Sequence, residues 1–295
     1  MARRGRIART PWLSYAVVII GGVVMVVPFI DLVSSSLKSF SEYGRLPYHL
    51  LPQQVTWGNY ATAIESLQLG KLFLNSIVVS VAVTASVLLT SAMAGYALSK
   101  LRFRGRQAVL KFVLATMMLP AFLMLVPDFV MMANWPLVGG NNILGQGGQG
   151  GMITSIFSLM LPFLVTGFGI FLMRQFILAL PTEVLEAARV DGAGEARVFF
   201  SIVLPQTTPI ALSLGLLTFV SSWNEYIWPS VIGSSNPSLM TLPVGIQMLQ
   251  SSYDPLRSMP VVMAGIVMST VPVLLIFLFF QKYYVRGVML SGMKW

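Results

Sequence analysis

The 295-residue sequence contains no cysteine and a single histidine, His49. Disulfide frameworks, thiolate metal sites and cysteine nucleophiles are thereby excluded, and with them multi-histidine metal sites and most histidine-based acid–base schemes. Charge is scarce too: Asp, Glu, Lys and Arg make up 10% of the chain, against 56% hydrophobic residues. Soluble globular domains carry about 25% charged residues and about 45–50% apolar ones with glycine included, so an ordinary soluble enzyme is excluded. Most of this chain is expected to meet lipid. No phosphate loop of the form G-x-x-x-x-G-K-[ST] surrounds any lysine, so the chain is not expected to hydrolyse ATP by itself. No internal repeat is visible.

What the sequence does have is long apolar runs. A bilayer core of about 30 Å needs roughly 20 apolar helical residues, and six runs meet that length, near 12–33, 72–98, 108–132, 152–173, 209–232 and 261–280. Backbone polar groups in lipid must be paired internally, so separate runs of this length read as α-helices. The first run follows basic residues and resembles a signal peptide, but it exceeds the roughly 7–15 residues of a signal core and is read as a span.

The formal net charge of +9 is a topology signal. Arg3, Arg4, Arg6 and Arg9 precede the first run, and Lys100, Arg102, Arg104, Arg106 and Lys111 surround the connection between the second and third. Arg174, Arg189 and Arg197 follow the fourth, and Lys282, Arg286 and Lys294 the sixth. Only Lys38, Arg45, Lys71 and Arg257 fall on the other side. The positive-inside rule then predicts an all-α integral membrane protein, a single domain of six transmembrane helices with both termini cytoplasmic. The basic clusters flank spans and form no continuous face, which argues against nucleic acid as their partner.

The longest cytoplasmic segment, 174–208, reads RQFILALPTEVLEAARVDGAGEARVFFSIVLPQTT. Pro181 and Thr182 open a helix, Glu183 and Glu186 sit in its early turns where the helix dipole favours negative charge, and Asp191 and Gly192 end it. A second short helix is expected from about 195 to 203, stopping at Leu204 and Pro205. Val184, Leu185 and Ala188 share one face of the first helix, and Ala187 leaves room for a neighbouring backbone. An amphipathic hairpin lying on the membrane surface fits this pattern as well as a docking element does.

The spacing narrows the choice. Glu186-Ala187-Ala188, then Gly192 after three residues, then Ile202-Val203-Leu204-Pro205 after nine more, resembles the EAA loop of ABC importer permeases, placed between the fourth and fifth spans. Ser36-Leu37-Lys38, Leu74-Asn75-Ser76, Trp223-Asn224-Glu225-Tyr226-Ile227-Trp228-Pro229 and Tyr284-Val285-Arg286-Gly287 extend the resemblance to carbohydrate importers of the maltose type, in particular the second of their two permease subunits. The resemblance implies that the loop docks on a separate ATPase, with Glu183, Glu186, Ala187, Ala188, Asp191, Gly192, Leu204 and Pro205 as the coupling residues. It implies a homologous second permease, two ATPase subunits that hold the ATP and Mg, an extracytoplasmic solute-binding protein and a sugar or related polyol or glycerol phosphate as substrate. The implied location is a bacterial or archaeal cytoplasmic membrane. By position, 234–257 corresponds to a loop that reaches into the binding protein, and 285–295 to a tail that contacts the ATPase. Met293 and Trp295 depart from the smaller residues usual there.

The fifth run carries the candidate pathway residues Trp223, Asn224, Glu225, Tyr226 and Trp228. In a continuous helix beginning at Pro209, Glu225 lies about 24 Å along at about 1.5 Å per residue, in the outer part of the membrane. A carboxylate inside a span is costly enough that function is its default reading, and the tryptophans serve equally as sugar platforms or interface anchors. Glu225 also leaves open a proton-coupled carrier; an intramembrane enzyme lacks an obvious catalytic group. A G-x-G-x-x-G match at Gly145, Gly147 and Gly150 follows no strand and reads as a flexible loop. The 18 methionines read as adaptable packing rather than copper ligands, and Pro120, Pro127, Pro162 and Pro272 predict kinks in or beside spans.

Overall fold

The computed structural model describes the backbone of residues 11–66, 68–148, 150–252 and 255–292, and side chains over 12–250, apart from 67 and 149, and over 259–281. Arg3, Arg4, Arg6, Arg9 and the end of the tail, 293–295, lie outside the described residues, as do the side chains of Arg257, Lys282, Tyr284 and Arg286. No strand occurs among the described residues. The helices in chain order are α1 (Pro11–Ser36), α2 (Gly58–Ser66), α3 (Leu69–Lys100), α4 (Arg106–Thr116), α5 (Leu125–Ala133), α6 (Gly167–Leu178), α7 (Thr182–Val190), α8 (Glu195–Val198), α9 (Thr208–Trp223), α10 (Ile227–Ser235), α11 (Leu242–Ser252) and α12 (Pro255–Gly292).

Three helices are each long and apolar enough to cross a bilayer, at Trp12–Ser36, Leu69–Lys100 and Met259–Gln281. Three further candidates are bent pairs, and counting each pair as one span brings the total to as many as 6. The expected run 108–132 is broken by 94° between α4 and the segment Ala121–Ala133. Pro120 explains the break, because its ring excludes the carbonyl of Thr116 from a continuing helix, and α4 stops at Thr116. The run 152–173 becomes a 3-10 turn, Gly151–Thr154, then Phe157–Phe163, then α6, the last two bent by 47°. Ser86 of α3 donates to the carbonyl of Leu164 at this second break, 2.9 Å away, and Thr166 caps α6 by accepting from the Gly169 N–H at 3.2 Å.

Two expectations about later helices need correction. The short helix after Gly192 does not stop at Leu204 and Pro205: α8 widens into a π segment, Phe199–Val203, and continues as Leu204–Gln206. The wider turn makes room for the Pro205 ring, and the bend of 76° falls one step later, before α9. Nor is 209–232 one helix. α9 ends at Trp223 and α10 begins at Ile227, because Pro229 lacks an N–H and its ring excludes the carbonyl of Glu225 from a helical position.

The chain divides into two compact bodies, Met1–Leu69 with Ile246–Thr270 and Gly70–Gly245 with Val271–Trp295. In the first, α1 is apolar and exposed along its length, from Trp12 to Val33, as a helix facing lipid or another chain is. Its end is pinned. Ser36 shares a hydrogen bond with Tyr60 at 2.7 Å, and Asn59 donates to the carbonyls of Ser36 and Lys38, each at 2.8 Å. Lys38, 1% exposed, donates to the carbonyl of His49 at 2.6 Å and lies 4.1 Å over the Tyr48 ring. Ser36-Leu37-Lys38 is thus the closure that seats the loop after α1.

In the second body, α3 is the axis. Val79, Val83, Val87 and Tyr96 belong to a core shared with Met173 and Ile177 of α6, Leu185 of α7, Val198, Phe199 and Val203 of the α8 stretch, Leu214 of α9 and Trp228 and Ile232 of α10. α3 and α6 cross at Gly95, where an added Cβ would lie 2.9 Å from the Arg174 nitrogen, the close approach that small residues permit between apolar helices. At the other end of α3, Asn75 donates to the carbonyls of Ser238 and Met240 at 3.0 and 2.9 Å, and Ser76 accepts the Leu242 N–H at 2.8 Å. Leu74-Asn75-Ser76 holds the 238–242 connection.

Candidate functional site

Two places in the second body gather the chemistry: the hairpin after α6 and a cavity beside α9. The hairpin forms as its punctuation dictates. α7 opens after Pro181, and Gly192 turns the chain at φ +84°, a conformation costing an L-residue roughly 1–2 kcal/mol. The Ala193 N–H closes the turn on the carbonyl of Ala188 at 2.9 Å.

Anchor and free surface separate cleanly on α7. Leu185 is 1% exposed and enters the core, with Ala188 packed beside it. Val184, expected on the same face, is instead exposed. Glu183, Glu186, Ala187, Val190, Asp191 and Gly192 are exposed as well, Val190 at 86%. Leu204 is half-buried against the core and Pro205 exposed.

Polar ties that the sequence reading missed fix the hairpin to α3. Tyr96 donates to Glu195 Oε2 at 2.5 Å, and Arg189 Nε donates to Glu195 Oε1 at 2.8 Å. Arg189 also reaches Glu195 Oε2 at 3.3 Å and the Tyr96 hydroxyl at 3.4 Å. The Arg189 hydrogen bond, followed by that from Tyr96, holds the Glu195 carboxyl below its ordinary value, and Glu195 in turn raises the Arg189 guanidinium. One turn further along α3, Lys100 donates to the carbonyl of Leu180 at 2.6 Å and to Thr182 Oγ1 at 3.2 Å, satisfying groups where α6 hands over to α7. Arg174 Nε donates to the carbonyl of Leu98 at 3.2 Å. Arg189 and Glu195 flank the Gly192 turn symmetrically, which was a readable sign of a pair across the hairpin. Tyr96 and Lys100 carry no such local sign.

The second place is a cavity of about 260 Å³. Thr218, Ser221, Ser222 and Glu225 line one side, Ser76, Val79 and Val83 of α3 another, and Leu159, Phe163, Phe168 and Thr241 also face it. Among the expected pathway residues only Glu225 lines it. Its Oε1 accepts the N–H groups of Ile227 at 3.0 Å and Trp228 at 3.3 Å, capping α10. Trp223 is buried, stacked on Phe219 at 5.8 Å and edge-on to Phe73 at 5.6 Å. Trp228 is buried and donates to the carbonyl of Ser158 at 2.8 Å. Asn224 folds back onto the carbonyl of Val220 at 2.9 Å, and Tyr226 is exposed. The hydroxyl residues were missed, although their 3.6-residue spacing was visible. The Gly145–Gly150 segment is a loop with positive φ at Gly145, Gly147 and Gly150 and adjoins no strand. Among the described residues no three acidic, histidine or cysteine side chains gather as a metal site.

An all-helical chain with up to 6 apolar crossings, a hairpin held by core and ion pair, and a hydroxyl-lined cavity define a multi-pass membrane protein of the transporter class. The chain belongs to the family described as binding-protein-dependent transport system inner membrane component, whose model matches residues 86–290. It is a transporter subunit and not an enzyme, ATP hydrolysis in such systems residing in a separate ATPase. It is 31% identical over 274 residues to the arabinooligosaccharides transport system permease protein AraQ of Halalkalibacterium halodurans, covering 92% of each chain. It is 30% identical over 281 residues to the sn-glycerol-3-phosphate transport system permease protein UgpE of Pectobacterium atrosepticum, covering 93% of this chain and 94% of that one. Its fold matches a chain of a bacterial ABC transporter involved in the import of the acidic polysaccharide alginate, with a TM-score of 0.77 and 24% identity, covering 96% of this chain and all of the other.

Proposed function

We propose that this chain is one of two homologous permease subunits of an ATP-driven sugar importer in a bacterial or archaeal cytoplasmic membrane. In this reading the bent pairs complete six crossings, the third of them through its α9 arm, both termini lie in the cytoplasm, and the hairpin of α7 and α8 projects there between the fourth and fifth spans. Two ATPase subunits bind ATP and Mg, and an extracytoplasmic binding protein delivers the solute. The hairpin seats in a cleft of the ATPase, and closure of the ATPases moves the hairpin together with α3, to which Tyr96 and Lys100 tie it, while Gly95 seats α6 against the same helix. Such a body has two positions biased by a partner, as alternating access requires.

The observation that carries this reading is the division of α7 into a buried Leu185 and an exposed row of Glu183, Glu186, Ala187 and Asp191. The motif spacing and the family match support a transport system with a separate motor, and relatives such as the arabinooligosaccharide permease support the sugar class.

The test is Glu186→Arg. Glu186 is exposed, so the substitution leaves the fold intact while placing a like charge against a basic partner surface. ATP-dependent uptake and association with the ATPase are expected to be lost while the chain still inserts. Retained uptake with the ATPase bound contradicts the reading, and uptake driven by a pH gradient without any ATPase replaces it with a proton-coupled carrier.

A further inference from the structure

The cavity beside α9 holds information on the solute that family membership leaves open, since relatives include permeases of both neutral and anionic solutes. Among the described residues that line it, Glu225 is the one charged group, and no lysine, arginine or histidine is present. Thr218, Ser221 and Ser222 stand at i, i+3 and i+4, with Glu225 following at i+7, so one face of α9 leads into the carboxylate.

Hydroxyls in apolar helices commonly donate to the carbonyl one turn earlier. Thr84 does so to Ser80 at 2.6 Å, Thr90 to Ser86 at 2.7 Å and Ser213 to Pro209 at 3.2 Å. Among the described residues the hydroxyls of Thr218, Ser221 and Ser222 have no such bond. Thr241, 4% exposed, lines the same cavity, and its Oγ1 is buried with no partner. A buried hydroxyl without a partner is costly, and a hydroxylated guest supplies one. Phe163 and Phe168 also line the cavity and supply aromatic surface suited to sugar C–H groups.

We infer that this cavity takes an uncharged polyhydroxylated solute and rejects anions, its hydroxyl row and the Glu225 carboxylate exchanging hydrogen bonds with the hydroxyls of the solute. The inference rests on reading the Glu225 region as part of the translocation path and adds the charge class of what passes. A phosphate or uronate entering meets a carboxylate and no cation, in a mainly apolar wall where repulsion is weakly screened. At about 260 Å³ the cavity lies near the lower bound of small-molecule sites, roughly 300 Å³, and so holds one end of an oligosaccharide.

The absence of native cysteine permits a direct test. In the assembled transporter, with partner permease and ATPases present, Ser221→Cys is treated with anionic, cationic and uncharged methanethiosulfonates, and modification of this chain is followed by mass. Relative to free thiol, the cationic reagent is expected to react at least about tenfold faster than the anionic one, the ~1.4 kcal/mol by which a unit charge about 6 Å away separates a cation from an anion even at the dielectric of water. Adding Glu225→Gln brings the ratio close to one, while the Gln oxygen still caps Ile227 and Trp228. Arabinotriose is expected to slow modification by the uncharged reagent, and sn-glycerol 3-phosphate at the same concentration is not. Equal rates for the two charged reagents, protection by the phosphate, or protection by neither solute overturns the inference. Thr218→Cys serves as a second reporter where Ser221→Cys does not assemble. Labelling needs no ATP turnover, so its outcome is independent of the Glu186→Arg result, which tests the coupling reading alone.

Discussion

Tyr96 and Glu195, 99 positions apart in the chain, meet at 2.5 Å, hydroxyl to carboxylate, with Arg189 completing the cluster. The first belongs to α3, the helix that lines the cavity, the others to the hairpin. A push on the hairpin therefore reaches α3 through a charge-assisted hydrogen bond and a buried Leu185, a stiffer path than a loop provides.

Tyr96→Phe removes that bond and leaves the ring packing. The loss of a hydrogen bond to a charged group is worth about 1.5–3 kcal/mol. Backbone amides of 182–206 are expected to exchange about tenfold faster or more, a factor equivalent to about 1.4 kcal/mol, with those of α9 unchanged. Equal exchange in both proteins contradicts the tie.

The pH dependence of the hairpin follows from Glu195. Its folded carboxyl titrates below the ordinary 4.5, so between the two values the unfolded form binds more protons and stability rises with pH. The contribution is complete above 4.5 and is lost as pH falls through the depressed folded value. Hairpin protection, measured by exchange after correction for intrinsic rates, is expected to be flat from neutrality to about that point and to drop below it. Glu195→Gln abolishes the dependence.

Gly95 tests the helix crossing. A Cβ there meets the Arg174 nitrogen at 2.9 Å and the Met173 Cβ at 3.0 Å, both on a packed helix that cannot yield locally. Gly95→Val is expected to destabilise the second body by about 1–3 kcal/mol, the usual cost of overpacking, seen as a lower thermal midpoint in detergent. Gly215→Ala is the milder control, since its nearest neighbour is a Leu88 side chain at 3.3 Å.

Gly192 is a backbone test. Nothing lies within 4 Å of an added Cβ, yet φ is +84°, so Gly192→Ala acts through conformation alone, costing roughly 1–2 kcal/mol. Gly192→Asn is expected to cost less, because Asn tolerates the left-handed region. The order Gly, Asn, Ala in affinity for the ATPase is the measurable outcome.

How much was legible follows from where the causes lie along the chain. α7 was readable to within a residue because Pro181 and Gly192 act locally. The kink expected at Pro120 falls where α4 stops at Thr116, but the break after Trp223 was not assigned although Pro229 marks it: a proline disrupts the helix four residues upstream, and an apolar run of the right length concealed it. Trp223 and Trp228, read as sugar platforms or interface anchors, are buried through partners such as Phe73 and Ser158 that only the fold brings near. Tyr96, Lys100 and Arg174 had no local sign, their acceptors lying 76 or more positions away.

The central claim is that the exposed side of α7 faces a separate ATPase. In the naturally cysteine-free chain, Ala187→Cys, Val190→Cys and Leu185→Cys are introduced singly, and the assembled transporter is treated with a short bifunctional thiol- and amine-reactive reagent. The account predicts cross-links to the ATPase from positions 187 and 190 and none from the buried position 185. Cross-links from 187 and 190 confined to this chain or to the other permease, with the ATPase present and bound, would contradict it.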